Sequence, residues 1–117
     1  MKQLIASVEQ GRFLEAIQEF YAEDASMREN NEPPRVGLPA LLEREKQCLN
    51  SIREMHVHRA ESFLVDGNRA AINWIFETTD GEGKRHRLNE VAYQLWRDNK
   101  IVSERFYYDP AQRQTAI

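Results

Sequence analysis

The stretch from Lys84 to Pro110 constrains the fold most, because it predicts two long strands joined by a tight turn. Apolar residues occupy both sides of the first strand: Val91, Tyr93 and Leu95 on one, and Leu88, Ala92 and Trp96 on the other. A strand that is apolar on both sides must be covered on both sides, which a sheet with one solvated face does not require. We therefore expect helices from the first half of the chain to cover one face and a second subunit to cover the other.

Length, charge and cysteine content limit the class of protein. The 117 residues predict one domain over 1–117, long enough to bury its own core. The net charge of −3 predicts neither nucleic acid nor a membrane surface as partner. No stretch approaches the roughly 18 apolar residues of a membrane span, and the first residues lack the apolar run of a signal peptide. The single cysteine, Cys48, excludes an internal disulfide framework and indicates a reducing cytoplasm.

Hydrophobic periodicity predicts two short helices at the start of the chain. The first covers residues 4–8 and ends near Gly11, and the second covers 13–21 with apolar side chains at i, i+4, i+7 and i+8. Tyr21 stands at the end of the second helix, where its phenol can point into a cavity. Ala25–Glu29 is predicted as a short strand.

A loop and a third helix follow. Residues 30–37 are predicted as a loop because their two prolines disfavour both helix and sheet. Pro39 suits the first turn of the helix, whose apolar stripe includes Glu45 and Cys48. The thiol is therefore expected to be buried and inert. The opposite side of this helix is polar and carries Glu43, Arg44, Lys46 and Gln47.

From Met55 onward the period of the sequence changes to two. Strands 55–65 and 69–79, joined at Asp66-Gly67-Asn68, precede the hairpin of residues 84–110. Helices first and an antiparallel run of four strands afterwards predict an α+β fold.

The last turn decides which side chains share a face. Residues 96–99 fit a type I turn followed by a left-handed residue, a three-residue loop that pairs Trp96 with Lys100. A two-residue loop over Asp98 and Asn99 would shift that pairing by one. In the preferred register, one face carries Glu90, Ala92, Gln94, Val102, Glu104, Phe106 and Tyr108. The other face carries Asn89, Val91, Tyr93, Leu95, Ile101, Ser103, Arg105 and Tyr107.

The first of these faces mixes carboxylates with apolar and phenolic groups. Unpaired carboxylates are unfavourable in a packed core, so the mixture suits a cavity that holds water or ligand. Glu90 and Glu104 are therefore candidate catalytic residues. The candidate ligand-binding residues are Tyr21, Asn73, Phe106 and Tyr108. The alternative is that the glutamates pair with arginines such as Arg28 or Arg105, which would leave a non-enzymatic dimeric carrier or scaffold.

The order of elements, the segment YAEDASMRE after the second helix and the terminal segment NKIVSERFYYDP carry a family resemblance. Over nearly its whole length the chain resembles the SnoaL-like group of the nuclear-transport-factor-two-like superfamily. The resemblance implies three helices packed in the concavity of a curved, mostly antiparallel sheet, a cone-shaped α+β barrel with a deep pocket. It also implies a homodimer through the outer sheet face.

The segment YAEDASMRE also resembles the corresponding segment of ketosteroid isomerase, a member of the same superfamily. In this resemblance Glu29 matches the catalytic base of that enzyme, which implies a proton-transfer role for Glu29. The two groups that stabilise an oxyanion in that enzyme fall near Leu4 and Ala92, which cannot donate hydrogen bonds. Because such electrostatic stabilisation is commonly the largest part of catalysis, steroid isomerisation is not expected.

His56 and His58 offer a competing chemistry. They lie two residues apart on a predicted strand, so both imidazoles are expected on one side as a candidate metal pair. Glu61 lies on the opposite parity, so the spacing of a cupin metal site fails. No metal or cofactor is therefore assigned, and a metal-dependent enzyme remains a third hypothesis.

The sequence as a whole predicts a cytoplasmic homodimer that binds a small, largely apolar molecule. Isomerase-, cyclase- or dehydratase-type acid–base chemistry would be carried by Glu29, Glu90 or Glu104. Whether any reaction is catalysed stays open at this point.

Overall fold

The computed structural model describes residues 1–114; the last three residues of the expected 1–117 domain lie outside the described part. In chain order the elements are α1 (Lys2–Glu9), α2 (Phe13–Phe20), β1 (Tyr21–Glu29), β2 (Arg35–Val36), α3 (Leu38–Asn50), β3 (Ile52–Asp66), β4 (Arg69–Asp80), β5 (Arg85–Arg97), β6 (Lys100–Tyr107) and α4 (Ala111–Gln114).

The three predicted N-terminal helices are confirmed. Gly11, at φ +80°, separates α1 from α2, and Gly37, at φ +96°, precedes α3 with Pro39 in its first turn. The second helix ends one residue earlier than predicted. Tyr21 already has extended backbone angles and is the first residue of β1, so the expectation that it ends a helix is wrong.

The six strands form one curved sheet in the order β2-β1-β6-β5-β4-β3. Only β1 and β6 pair in parallel, so the sheet is mostly antiparallel and the α+β prediction is confirmed. Within residues 1–114, β2 and β3 are the two free edges, so the expected barrel is not closed. β1 begins four residues earlier than predicted, and β2 lies inside the segment predicted as a loop.

The turn between β5 and β6 differs from the preferred prediction. Asp98 and Asn99 both have positive φ, 52° and 65°, which is the backbone of a two-residue type I′ turn, and Arg97 pairs with Lys100. The predicted three-residue loop is therefore wrong. Aspartate and asparagine both tolerate the left-handed region, so either turn was compatible with the sequence.

A β-bulge in β6 restores the predicted sharing of faces. Trp96 pairs with Ile101 and Leu95 with Ser103, which leaves Val102 without a partner. From there on, Gln94 lies opposite Glu104, so these two side chains share a face as predicted. Ile101 is the exception, because it lies opposite Trp96 and is fully buried in the core, not on the outer face.

The core lies between the helices and the concave side of the sheet. Its fully buried members include Leu41 of α3, Ile72 of β4, Ala92 of β5 and Ile101 of β6. Among the helices of residues 1–114, none has the length and apolar character needed to cross a membrane.

Candidate functional site

A cavity of about 440 Å³ opens between the helices and the concave face of the sheet. Its size falls within the roughly 300–1,000 Å³ of small-molecule sites. Much of its wall is apolar, including Leu4, Ile17, Met27, Trp74, Phe76 and Phe106. The cavity also reaches the charged residues described below.

Most of the predicted site residues meet at this cavity. Its walls include Tyr21, Glu29, Glu90, Glu104 and Phe106. Tyr108 is not part of the cavity wall, but its hydroxyl donates a hydrogen bond of 2.7 Å to Glu29 Oε1.

Asn73 is placed elsewhere. In β4 the side chains of Trp74, Phe76 and Thr78 reach the cavity, so Asn73 has the opposite parity. Its amide donates to Asn89 Oδ1 at 2.6 Å and to the Glu90 backbone oxygen at 3.1 Å. Asn73 was predicted as a ligand-binding residue, but it does not line the cavity, because the side chains of β4 that reach the cavity are at even positions.

Glu104 lies at the bottom of the cavity and is fixed by neutral donors. Gln94, its cross-strand neighbour, donates to Oε2 at 2.6 Å, and the Tyr21 hydroxyl donates to Oε1. The Gln94 carbonyl in turn accepts from Trp96 Nε1 at 2.9 Å. Burial raises the pKa of Glu104 to about 7, although the hydrogen bonds from Tyr21 and Gln94 act to lower it. This carboxyl therefore changes charge near neutral pH.

Glu90 has a different environment. It lies on β5 opposite Trp74 and is 7% exposed. Among the side chains of residues 1–113, none donates a hydrogen bond to its carboxyl or forms an ion pair with it, and Asn73 binds only the Glu90 backbone oxygen. Burial raises its pKa to about 8, and the nearby charge of Arg113 only partly opposes that rise. Glu90 is therefore a neutral acid at pH 7.

The expected arginine partners of these two glutamates bind other groups. Arg28 donates to the Glu32 backbone oxygen at 2.9 Å, and Arg105 donates to the Asn30 backbone oxygen at 2.8 Å. In the described part of the chain, protonation therefore compensates the burial of Glu90, whereas hydrogen bonds from the neutral donors Tyr21 and Gln94 compensate that of Glu104.

Glu29 is the glutamate that arginines do neutralise. Its Oε2 lies 3.1 Å from Arg35 Nη1 and 3.4 Å from Arg44 Nη2, and its Oε1 lies 3.4 Å from Arg113 Nη2. Burial alone would raise the pKa of Glu29, but the Tyr108 hydroxyl and the three guanidiniums together lower it. Glu29 therefore stays ionised at neutral pH.

Sequence reasoning missed the residues around Glu29. Arg35 lies in a segment that was predicted as a loop, and Arg44 lies on the side of α3 that was predicted to be polar. Arg113 lies beyond the last predicted strand. Glu45, which also lines the cavity, did leave a signal, because a carboxylate on an apolar helix stripe is unusual. Burial raises the pKa of Glu45, while Arg113 and Arg44 oppose that rise.

The arginines mark the mouth of the cavity. The side chains of Arg35, Arg44 and Arg113 are 36%, 31% and 41% exposed, whereas Gln94 and Glu104 are 0% and 4% exposed. The cavity is thus cationic where it meets solvent and carries titratable acids deeper inside.

The histidines do not form the expected pair. A bulge between Met55 and Val57 breaks the alternation of β3, so His56 contacts Thr79 Oγ1 at 2.7 Å. His58 instead contacts the Val8 backbone oxygen at 3.1 Å. Within residues 1–114, no group of three or more histidine, cysteine or acidic side chains could hold a metal ion.

His86 is a further lining residue that the sequence pattern did not predict. The basic cluster 84–87 indicated a solvated hairpin end, yet His86 lies on the cavity wall with Nε2 2.9 Å from Asp80 Oδ2. The other Asp80 oxygen accepts from the backbone N–H groups of Glu82 and Lys84, which shapes the turn. Asp80 therefore organises both the hairpin and the imidazole.

Comparison with known proteins agrees with this architecture. A family model described as SnoaL-like domain matches residues 2–108. No match was found among curated proteins.

Three solved structures illustrate the likeness. A candidate SnoaL-like polyketide cyclase from Mesorhizobium loti is 28% identical, with a TM-score of 0.78 over 92% of this chain and 94% of that one. A candidate SnoaL-like polyketide cyclase from Jannaschia sp. CCS1 is 10% identical, with a TM-score of 0.83 over 98% and 89%. TerC, co-crystallised with polyporic acid, is 16% identical, with a TM-score of 0.80 over 95% and 89%. The last two similarities concern the fold alone.

Proposed function

This chain belongs to the SnoaL-like family, and from that premise we propose that it binds a small, largely apolar molecule in its cavity and transfers protons on it, as isomerases, cyclases and dehydratases do. The similarity to a candidate polyketide cyclase supports this class of chemistry. The substrate is then a ketone or enol with an apolar body. No cofactor enters the proposal.

The observation that carries the proposal is the pair of buried carboxyl groups on one cavity, Glu90 and Glu104, with pKa values of about 8 and about 7. A neutral carboxylic acid can donate a hydrogen bond to a carbonyl oxygen, and a carboxylate of raised pKa is a competent base. Near pH 7.5 the two roles fall to Glu90 and Glu104 respectively, since Glu90 has the higher pKa.

The proposed step uses both groups at once. Glu104 takes a proton from the carbon next to the substrate carbonyl, the electron pair of that C–H bond forms a carbon–carbon double bond, and the π pair of the carbonyl moves onto its oxygen. Glu90 stabilises the resulting enolate by donating its hydrogen bond. In an unsaturated ketone, return of the proton to the remote carbon of the dienolate gives an isomer. Attack of the enolate carbon on a second carbonyl, whose oxygen then takes the proton from Glu104, gives a cyclised product.

The other site residues hold this arrangement in place. Tyr21 and Gln94 fix the orientation of Glu104, and Phe106 supplies apolar contact to the substrate. Glu29, held by Tyr108 and three arginines, is proposed as a counterion instead of a proton carrier.

A non-enzymatic ligand carrier is the second candidate, and the contacts of Glu29 favour it. The Glu29 carboxylate is paired with guanidiniums, as the carrier hypothesis requires of every cavity carboxylate.

In either case we propose a cytoplasmic homodimer. The outer sheet face supplies its interface through Val91, Tyr93 and Tyr107, which are 39%, 41% and 45% exposed.

Deuterium exchange of a small aromatic ketone tests the proposal. With 2-acetylnaphthalene in deuterated buffer, the protein should accelerate loss of the methyl proton signal by about 100-fold over buffer, the low end of general acid–base catalysis. Glu90→Gln and Glu104→Gln should each lose most of that acceleration, whereas Glu43→Gln, exposed on α3, should keep it.

The pH profile separates the enzyme from the carrier. Because the step needs Glu104 ionised and Glu90 protonated, the rate should be bell-shaped with limbs near pH 7 and pH 8. A ketone that binds without any acceleration would decide for the carrier. An acceleration unchanged in Glu90→Gln would refute the role assigned to Glu90.

A further inference from the structure

The mouth of the cavity holds more positive than negative charge. Three guanidiniums, those of Arg35, Arg44 and Arg113, surround the single carboxylate of Glu29. Glu45 is the other carboxyl beside them, and even when it is ionised one positive charge is left over. The other acids of the lining contact different groups: Asp80 lies 2.9 Å from His86, and Glu104 is held by Tyr21 and Gln94, while Glu90 is neutral at pH 7.

The same arginines have hydrogen-bonding capacity to spare. A guanidinium carries five N–H donors. Within residues 1–113, Arg35, Arg44 and Arg113 each place one guanidinium nitrogen on the Glu29 carboxylate. The Arg113 guanidinium carbon also lies 4.9 Å from the centre of the Tyr108 ring. Glu29 and Tyr108 therefore hold the arginines in place without saturating them.

Such an arrangement suits an anion from outside. Arginine binds carboxylates through paired N–H donors and is more weakly hydrated than an ammonium group, so it binds them well at partly exposed sites. The arginines are about a third exposed, so an anionic group can reach them without full desolvation. Beyond these three arginines the described lining contains no arginine or lysine, and an anion deeper in the cavity would approach the acids Glu90 and Glu104.

We propose that the arginine cluster, Arg35, Arg44 and Arg113, binds the carboxylate of an amphipathic monoanion whose apolar body enters the cavity. This inference rests on the proposed function, since it names the class of molecule which that cavity accepts. The carboxylate stays at the mouth, and the apolar body packs against Trp74, Phe76 and Phe106. A carbonyl on the far side of the body then faces Glu90 and Glu104.

A matched pair of probes tests this inference. 2-Naphthoate and 2-naphthamide share shape and apolar area, and only the first is an anion at neutral pH. Isothermal titration calorimetry on the full chain should give at least about tenfold tighter binding of the naphthoate, a difference of about 1.4 kcal/mol. Raising the salt concentration should weaken the naphthoate alone, because the arginines are partly exposed.

Arginine substitutions locate the contact. Arg113→Met and Arg44→Met should each weaken naphthoate binding about tenfold and naphthamide binding less than about twofold. Arg97→Met, an exposed arginine next to the β5–β6 turn, should change neither. Two variants from different helices keep the test usable if one of them loses stability.

The outcomes distinguish this inference from the proposed function. Equal affinity for the two probes, no naphthoate binding, or an equal loss in Arg97→Met would overturn the arginine site. That result would leave the acid–base proposal standing if Glu90→Gln still abolishes ketone exchange. A retained preference for naphthoate with no effect of Glu90→Gln would overturn the catalytic proposal and leave the anion site intact.

Discussion

Two kinds of buried glutamate share one cavity, and they differ in how their burial is compensated. Glu29 keeps its charge because three arginines and a phenol surround it. Glu90 and Glu104 form no ion pair in the described part of the chain, so burial raises their pKa values. Removing a buried charge from water is costly unless it is paired or neutralised, and this molecule uses both solutions.

Glu90→Gln should stabilise the protein in a pH-dependent way. The folded-state pKa of about 8 lies above the value of 4.5 expected in the unfolded chain. The folded state therefore holds this proton while the unfolded state loses it, so wild-type stability falls from pH 4.5 to pH 8, by up to about 1.4 kcal/mol per unit. Urea unfolding should show the variant close to wild type at pH 4.5 and more stable by at least about 1 kcal/mol at pH 9. Equal stability of both proteins at pH 9 would show that Glu90 ionises freely in the fold.

Glu29→Gln should have the opposite sign. The pKa of Glu29 is lowered, so its stabilising effect is present above pH 4.5 and is lost as the pH falls through the folded-state value. At pH 7 the variant leaves three guanidiniums without their counterion. We expect a loss of about 2 kcal/mol, less than for a fully buried pair because the arginines are partly exposed. Glu43→Gln is the control, and a Glu29→Gln loss no larger than that of the control would refute the role of the ion cluster.

At the residue scale, the sequence predicted the acids better than the cations. Glu90 and Glu104 followed from sharing a face with apolar groups on adjacent strands. The arginines could not be placed, because Arg35 and Arg113 lie outside the periodic segments and Arg44 was assigned to the solvent side of α3. Asn73 was misplaced because alternation alone does not say which parity of β4 faces inward.

At the element scale, a turn and a bulge together determine what faces the cavity. A two-residue turn with regular pairing would put Ser103 opposite Gln94 and turn Glu104 outward. The unpaired Val102 shifts the pairing by one, so Glu104 returns to the concave side. The predicted loop was wrong, but the predicted face was correct. In both the predicted pairing and the pairing observed beyond the bulge, even-numbered residues of β5 lie opposite even-numbered residues of β6.

Substitution of Asp98 tests this turn. Both turn residues have positive φ, which a β-branched residue adopts only at a cost of about 1–2 kcal/mol. Asp98→Val should therefore lower the free energy of unfolding by about that amount, whereas Asp98→Gly should not. In the three-residue loop, Asp98 would have negative φ and would accept valine. Equal stability of the two variants in urea unfolding would favour that loop.

At the scale of the whole molecule, the sheet has a concave face covered by helices and an outer face that is still exposed. Alternation along β5 shows this directly, since Ala92 and Gln94 are fully buried while Val91 and Tyr93 are about 40% exposed. Fold class, the three N-terminal helices and the four-strand antiparallel run were predictable from periodicity. The short α4 and β2, the parallel pairing of β1 with β6 and the open edge were not predicted.

Tyr93→Glu tests the proposed dimer. Sedimentation of the wild-type chain should give twice the mass of one chain, and the variant should sediment as a monomer because a charge would be buried in an apolar interface. Leu64→Glu is the matched control, since Leu64 is 77% exposed at the tip of the β3–β4 hairpin. A wild-type monomer, or a dimer that both variants keep, would contradict an interface on the outer face.

The charge states of Glu90 and Glu104 are the point on which the proposed chemistry depends, and carbon-13 NMR measures them directly. In protein labelled at the glutamate carboxyl carbons, we expect two resonances to titrate near pH 7 and pH 8. The higher of the two should disappear in Glu90→Gln. A spectrum in which every glutamate carboxyl titrates below about pH 5 would contradict the account.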